Sequence, residues 1–313
     1  MSKEVRRSRE PRLRFLTHNV RGLKSDSVRF DGYVEWARKK DVFVASIQET
    51  WMDGEAVMEG MADYPGWTLL RHGLKNKVCK RGSQGVGILL SPVATAAWTE
   101  AGTQVNIFGP RIVSTRLRVK DDYGRPLMLY VVSAYAPLAS APQVERDRYF
   151  SDLQKCYDAC NEREVLIIGT DANAALGIKR SKQDRVLGNH GVHHTNIAGG
   201  ETYQFMARNE LCSPPTFERN TTRNGSERYA TWIHPNSGKG YQHDHFFLRQ
   251  RDRKRVRKAA RWGGAMGASS DHMPVYIDLA ILTSVNKHDR SDEGEEKKRI
   301  YRWLFHEEGV KEE

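Results

Sequence analysis

The sequence predicts an α+β sandwich in which two packed β-sheets are covered on their outer faces by helices. Short runs rich in Val, Ile and Leu alternate with turn residues from Leu13 to about Leu282. Two segments carry apolar residues at helical spacing, and the longest apolar runs are far shorter than the ~20 residues of a membrane span. Many strands with few long helices are typical of two sheets flanked by helices.

Each strand is predicted where a β-branched run is bounded by turn residues. These runs are Arg14–His18, Val42–Ile47, Thr68–Arg71, Val86–Leu90, Ile112–Val119, Leu127–Ala134, Val165–Ile168, Ala230–Ile233, Asp244–Leu248 and Pro274–Leu279. A helix is predicted over Val28–Lys39, where Val28, Tyr33 and Trp36 share one face, and a second over Val144–Cys160.

The charge of the chain is unevenly distributed. The 313 residues carry a formal net charge of +11. Residues 1–283 hold 43 Lys and Arg against 30 Asp and Glu, whereas residues 284–313 hold seven against nine. A basic globular body favours a phosphate-rich partner such as nucleic acid, because each phosphate contact releases counterions. Hydrophobic residues make up 39% of the chain, which excludes a wholly disordered protein.

We predict three regions: a basic arm over residues 1–11, one domain over residues 12–283 and a charged tail over residues 284–313. The first ten residues are charged and no apolar segment follows them, so no signal peptide is expected. The four cysteines lack the paired spacing of a metal site. We therefore expect reduced thiols and a reducing compartment. Because the apolar runs are too short for a membrane span, we also expect no membrane partner.

Six segments place polar side chains at an end of a predicted strand, where a rigid sheet can orient them. They carry Asn19, Glu49, Tyr135, Asp171 with Asn173, Asp244, and Asp271 with His272. A single carboxylate at a strand end usually forms a cap or a turn. Six such segments in a fixed order instead indicate a catalytic site.

This ordered set resembles the endonuclease/exonuclease/phosphatase superfamily over residues 12–283. The segments Gly188–Gly191 and Thr231–Pro235 are similar to the apurinic-type endonuclease domain of non-LTR (LINE-like) retrotransposons. The craniofacial development protein family shares the Trp-x-His-Pro-x-Ser form at Trp232–Ser237. The resemblance implies a DNase I-like, four-layered α/β sandwich of two packed mixed β-sheets flanked by helices.

The resemblance also implies a metal site. Its cofactor would be Mg²⁺, for which Mn²⁺ could substitute, held by Glu49, Asn19 and Asp271, because a hard cation prefers oxygen ligands. One residue departs from the pattern of abasic-site endonucleases, which carry an acid two residues after the Asn where this chain has Arg21. Arg21 places a cation near the bound phosphate and weakens both a two-metal mechanism and a dedicated abasic-repair role.

The remaining polar residues take catalytic roles in the resemblance. Asp171 would orient or deprotonate the attacking water, and Asn173 would hold a phosphate oxygen. His272 would stabilise the transition state, with its other ring nitrogen fixed by Asp244. Tyr135 would donate a hydrogen bond to the phosphate.

A basic run follows the Asp244 strand. Residues Arg249–Arg261 include eight basic side chains and one acid. We predict that Arg253, Lys254 and Arg255 contact DNA phosphates on a rim beside the catalytic segments. The alternatives are a solvated strand face or a nuclear localisation signal.

The function expected from the resemblance is a Mg²⁺-dependent endonuclease that nicks one strand of double-stranded DNA and leaves a 3′-hydroxyl. In a retrotransposon that hydroxyl would prime reverse transcription, and the partners would include the element's RNA and reverse transcriptase, with action in the nucleus. One alternative is an abasic-site repair enzyme or a general nuclease. An alternative of another class is a catalytically silent nucleic-acid-binding protein of the same fold.

Overall fold

The computed structural model describes residues 12–23, 28–52, 54–61, 64–74, 83–121, 123–219, 226–263 and 270–281. The arm predicted for residues 1–11 and the tail predicted for residues 284–313 lie outside these ranges. The helices are α1 (Val28–Lys39), α2 (Pro92–Glu100), α3 (Gln143–Asp158) and α4 (Ile197–Arg208), and three short 3₁₀ helices cover Pro214–Thr216, Ser226–Tyr229 and Gln250–Arg255. No helix in the described ranges is long and apolar enough to cross a membrane.

The strands form two large sheets and one short ribbon. They are β1 (Leu13–Asn19), β2 (Val42–Gln48), β3 (Gly54–Met61), β4 (Tyr64–Leu74), β5 (Ser83–Leu90), β6 (Val105–Ile107), β7 (Ile112–Lys120), β8 (Pro126–Tyr135), β9 (Val165–Asp171), β10 (Leu211–Cys212), β11 (Trp232–Ile233), β12 (Gly240–Tyr241), β13 (Asp244–Arg249), β14 (Val256–Arg261) and β15 (Val275–Leu279). Sheet A has the order β14-β15-β1-β2-β5-β4-β3 and sheet B the order β10-β13-β9-β8-β7-β6. The parallel pairs β1–β2 and β8–β9 lie among antiparallel ones, so both sheets are mixed. The predicted fold is confirmed.

Apolar side chains fill three layers of core. Phe15 of β1 and Phe246 of β13 are buried between the sheets. Tyr33 of α1 packs on the outer face of sheet A, and Leu153 of α3 with Phe205 of α4 packs on the outer face of sheet B. Alternate residues of each strand therefore face either the other sheet or a helix, which produces the four layers.

Polar side chains connect the two sheets just below the strand ends. The Ser46 hydroxyl of β2 donates to the Val132 carbonyl of β8 at 3.1 Å, and the Ser133 hydroxyl donates back to the Ile47 carbonyl at 3.0 Å. The Gln48 amide nitrogen also donates to the Ser133 hydroxyl at 3.2 Å. Because these groups are buried, their hydrogen bonds hold one register of sheet A against sheet B.

Several element boundaries differ from the sequence prediction. The first helix has the predicted bounds, whereas the second begins at Gln143 and ends at Asp158. Helix α2 was not predicted, although Ser91 and Pro92 are typical of a helix start; the Ser91 hydroxyl accepts a hydrogen bond from the Ala94 amide at 3.3 Å. The strand predicted over Ala230–Ile233 is only two residues long.

Candidate active site

The polar strand ends meet at one end of the sandwich. In sheet A, β1 ends at Asn19 and pairs in parallel with β2, so Asn19 lies beside Gln48 and next to Glu49. In sheet B, the register pairs Tyr135 at the end of β8 with Asp171 at the end of β9. Since both parallel pairs end on the same side, side chains from the two sheets face each other there.

Four residues at this end adopt backbone conformations that L-amino acids rarely occupy. The φ angles are +45° at Arg21, +52° at Glu49, +54° at Trp51 and +44° at Asn173. Such left-handed conformations cost about 1–3 kcal/mol each and cluster at functional sites. Backbone hydrogen bonds hold them in place, among them the one from the Gly22 amide to the Glu49 carbonyl at 2.7 Å.

Asn19 connects the acids of the two sheets. Its amide nitrogen donates to Glu49 Oε1 and to Asp171 Oδ2, both at 2.8 Å. Its side-chain oxygen accepts the backbone N–H of Arg21 at 3.1 Å. The predicted metal ligand therefore presents its nitrogen to the carboxylates, and its oxygen is occupied by the backbone.

Burial controls the protonation of two groups beside Asn19. The Tyr135 hydroxyl donates to Glu49 Oε1 at 2.8 Å. Burial, together with the negative charge of Glu49, raises the pKa of Tyr135, so the phenol keeps its proton. Asp171 is fully buried, and this burial, reinforced by the neighbouring Asp244 carboxylate, raises the pKa of its carboxyl group. A carboxylate with a raised pKa is suited to accept a proton.

His272 and Asp244 form a buried pair. His272 Nδ1 lies 2.9 Å from Asp244 Oδ2. Burial alone would lower the pKa of His272, but the Asp244 carboxylate outweighs it and raises this pKa to about 9. The same interaction holds the pKa of Asp244 below its ordinary value despite its burial. At neutral pH the imidazolium donates from Nδ1 to Asp244, and its Nε2–H is available to a bound oxyanion.

Asp271 lies at the exposed edge of the site. Its Oδ2 accepts hydrogen bonds from Arg21 Nη1 at 2.7 Å and from Trp232 Nε1 at 2.8 Å. Arg21 is therefore paired with one of the predicted metal ligands, and that it contacts the substrate phosphate stays a prediction. Trp232 joins the ribbon β11–β12 to the same carboxylate.

The donor set suits a hard divalent cation. Asp171, Asp244 and His272 form a cluster whose acid and ring atoms lie within 4.8 Å of one another, and because His272 is protonated, the two carboxylates are its metal-ligating groups. Asp244 Oδ1 is a buried acceptor with no hydrogen-bond partner among the described residues, which leaves one negative oxygen available. Together with Glu49 these oxygens match the preference of Mg²⁺ or Mn²⁺ for carboxylate ligands.

The first part of the basic run, Arg249–Arg255, lies away from this site, contrary to the predicted rim, whereas Arg261 at the end of β14 returns toward it. In sheet B, Asp244 pairs with Asp171 at the catalytic end, whereas Leu248 pairs with Ile167 further down. The 3₁₀ helix that carries Arg253, Lys254 and Arg255 therefore begins at the opposite end. Their predicted position beside the catalytic segments is wrong because β13 carries the chain away from Asp244. That they bind nucleic acid stays a prediction.

The model of the endonuclease/exonuclease/phosphatase family matches residues 16–272, which is most of the chain and spans every strand end described above. The chain belongs to this family. Superfamily members are typically hydrolases that act on nucleic acids and depend on a divalent metal, and the acid and histidine cluster of this member is a possible site for one.

Two curated relatives are craniofacial development protein 2 of Bos taurus and of Tragulus javanicus. Each is 30% identical over 167 residues, or 53% of this chain. The match spans only 26% and 27% of the length of these relatives.

Solved structures of the family share the fold. The endonuclease domain of TRAS1, a telomere-specific non-LTR retrotransposon, aligns with a TM-score of 0.53 at 15% identity and covers 87% of this chain and 99% of its own. The catalytic domain of Xenopus laevis APE2 aligns with a TM-score of 0.61 at 13% identity, covering 88% and 94%. The 3′-5′ exonuclease NExo of Neisseria meningitidis gives 0.58 at 15% identity, covering 85% and 99%.

Two residues that support this family site were missed in the sequence. The buried His18 lies with Nε2 3.1 Å from the His272 carbonyl. The Thr231 hydroxyl accepts the backbone N–H of Asp244 at 3.1 Å. His18 directly precedes Asn19, so its position next to a site residue was the only available signal. Thr231 begins the segment Thr231–Pro235 that carries the resemblance, but its contact with Asp244 could not be predicted because it depends on how the β11–β12 ribbon folds back.

Proposed function

We propose that this chain is a divalent-metal-dependent endonuclease that hydrolyses one phosphodiester of double-stranded DNA and leaves a 3′-hydroxyl. The observation that carries the proposal is the meeting of Glu49, Asp171 and the His272–Asp244 pair at the junction of the two sheets. The carboxylates of Glu49 and Asp171 thus lie close to the positively charged His272. Phosphodiester hydrolysis needs this combination of a proton acceptor, a positive charge and oxygen ligands for a metal ion.

The residues divide the reaction between them. Asp171, held by Asn19 at 2.8 Å, orients the attacking water and accepts its proton as the new P–O bond forms. The bond from phosphorus to the 3′-oxygen breaks, and that oxygen leaves as the 3′-hydroxyl after taking a proton from solvent. His272 stabilises the charge on the phosphoryl oxygens through Nε2–H. Asn173 Nδ2 donates to the Ala136 carbonyl and the Tyr135 hydroxyl donates to Glu49, both at 2.8 Å, so each must exchange that partner to donate to a phosphate oxygen.

A divalent cation would be held by Glu49, Asp271 and the neighbouring oxygen ligands, with Asn19 contributing once its side-chain oxygen is released. When bound, it neutralises phosphate charge. Saturating Mg²⁺ or Mn²⁺ is therefore expected to be required for cleavage.

The biological role that we propose is target-site nicking in the nucleus by a non-LTR retrotransposon endonuclease, in which the new 3′-hydroxyl primes reverse transcription of the element's RNA. Supporting observations are the similarity of residues 188–235 to that branch and the fold shared with the TRAS1 endonuclease domain. Arg21, in place of an acid, argues against an abasic-repair specialist. The presence of every site acid argues against a catalytically silent protein.

The first experiment measures nicking of supercoiled plasmid with Mg²⁺ and with EDTA. Glu49→Gln, Asp171→Asn and His272→Ala should each lower the nicking rate at least about 100-fold, because each removes a group that acts on the transition state. Glu162→Gln, a change of an exposed acid far from the site, is the matched control and should keep its rate. A polymerase should extend the nick directly. Wild-type nicking in EDTA, or a His272→Ala rate near normal, would contradict the mechanism.

A second experiment separates target nicking from abasic repair. An abasic specialist needs a fitted pocket for a flipped, baseless sugar, whereas a target-site nickase selects by DNA shape and groove contacts. Matched duplexes with and without one abasic residue should be cut at rates within about tenfold of each other. Cleavage confined to the abasic duplex would establish the repair alternative.

A further inference from the structure

The end of the sandwich opposite the catalytic site carries a dense group of positive charges. Strand β13 runs over six residues from Asp244 to Arg249, so its ends are about 17 Å apart. The chain then forms the 3₁₀ helix Gln250–Arg255 and returns in β14, whose first residue Val256 pairs with Leu279 at this far end. We define the distal basic surface as Arg251, Arg253, Lys254, Arg255, Arg257 and Lys258.

The single acidic residue between Arg251 and Lys258 does not balance the positive charge of the distal basic surface. Asp252 is the one acid between Arg251 and Lys258, and it is buried. Its carboxylate lies 3.2 Å from Arg255 and 3.8 Å from Arg251. A single buried carboxylate cannot balance six cations, so this segment carries a clear net positive charge.

Neighbouring side chains hold parts of this surface in place. The Arg253 guanidinium lies 4.7 Å from the centre of the Phe217 ring, and the Lys258 ammonium lies 5.8 Å from the Tyr276 ring. The preceding Arg249 has a different role, because its buried guanidinium donates to backbone carbonyls, including that of Cys160 at 2.9 Å. One arginine thus fixes the segment to the fold while the following cations remain at the surface.

Two simpler explanations account for only part of the surface. Charges and a bulge protect the edge strand β14 from pairing with other strands, and this explains Arg257 and Lys258. It does not explain the cations of the 3₁₀ helix, which lies outside the sheet. An import signal would have to bind its receptor as an extended peptide, whereas β14 pairs with β15 and buries Ala259.

We propose that the distal basic surface is a second nucleic-acid site, which binds the phosphate backbone of a segment other than the one being cut. The six side chains that define this surface are all cations, which contact phosphates rather than read base edges, so binding should be independent of sequence. A duplex seated at Asp171 lies at the other end of the sandwich, so the two sites hold different segments. The proposal goes beyond the proposed cleavage and does not require it.

The test uses the full chain in EDTA with a 20-base-pair DNA duplex and an RNA duplex of the same sequence. The variant carries Arg253→Gln, Lys254→Gln and Arg257→Gln. The control carries Arg148→Gln, Lys155→Gln and Lys182→Gln, three exposed cations outside this surface, for an equal change of charge. Sedimentation equilibrium at low salt measures how many duplexes each chain binds, and anisotropy measures how affinity depends on salt.

The variant should bind one duplex fewer per chain than wild type and control. The slope of log affinity against log salt should become shallower by up to about 3 for the variant, since each lost phosphate contact removes about 0.9. Loss of one bound duplex in the variant supports the proposal, whether it is seen with DNA, with RNA or with both. The duplex that is lost identifies the nucleic acid that this surface binds. Variant stoichiometry and slope equal to those of the control would overturn it. So would loss of binding to a nuclear import receptor with nucleic-acid binding unchanged. Failure of the proposed nuclease function would appear separately, as wild-type protein that does not nick plasmid.

Discussion

Gly169, in β9, lies where the two sheets approach each other closely below the active site. A Cβ added at this position would be 2.6 Å from Ser46 Cβ and 3.1 Å from Thr17 Cβ, both on sheet A. Gly169→Ala must therefore push the sheets apart locally, and overpacking of this kind costs about 1–3 kcal/mol. Separation also weakens hydrogen bonds such as that from Gln48 to the Gly169 carbonyl at 3.4 Å, which adds about 1 kcal/mol.

The expected loss in the free energy of unfolding is thus about 2–4 kcal/mol. Urea unfolding followed by circular dichroism measures it. Ser46→Gly removes the closest contact, so Gly169→Ala should cost at least about 1 kcal/mol less in that background. The control is Gly200→Ala in α4, where an added Cβ meets nothing within 4 Å, and helix propensity should make this change neutral or stabilising. Equal costs of Gly169→Ala in both backgrounds would refute the steric explanation.

Three further outcomes are expected. Ser91→Ala should lower the free energy of unfolding by about 1 kcal/mol, because it removes the cap of α2; urea unfolding should also show Ser91→Thr closer to wild type. Burial lowers the pKa of His245 to about 4, below its unfolded value, so its stabilisation is complete above pH 6.5 and is lost as the pH falls. Between pH 7.5 and 5.5 this loss is about 1 kcal/mol, and His245→Gln should reduce the measured pH dependence by that amount. Saturating Mg²⁺ should raise the Tm of wild type but raise that of Glu49→Gln less, since a ligand that binds the native state stabilises it; equal shifts would place the metal elsewhere.

The candidate site was visible in the sequence because polar residues interrupt apolar strands at their ends. Asn19, Tyr135 and Asp171 each end a strand, and Glu49 directly follows one. A buried strand can be recognised from the pattern of adjacent residues alone. The positions of these strand ends could therefore be predicted without knowledge of strand pairing. The resemblance to the family then implied which of these residues act together and which role each one takes.

The position of Arg253, Lys254 and Arg255 could not be predicted in the same way. Their distance from Asp244 depends on the direction of β13 within sheet B, and that direction follows from its antiparallel pairing with β9. Pairing between strands that are about 80 residues apart is a long-range property that no local pattern records. Asn19 likewise reaches Asp171 only after the sheets have packed.

The order of the strands along the chain also determines when the protein can act during its synthesis. Strand β15 lies in sheet A between β14 and β1, so the last of the described strands to be synthesised pairs with the first. Arg14 of β1 remains without the Asp278 carboxylate, which it contacts at 2.7 Å, until that strand emerges. Asp244 and His272 also lie late in this fold, so a product that terminates before them lacks both the closing strand and the His272–Asp244 pair. Any cleavage by this fold therefore requires translation through β15.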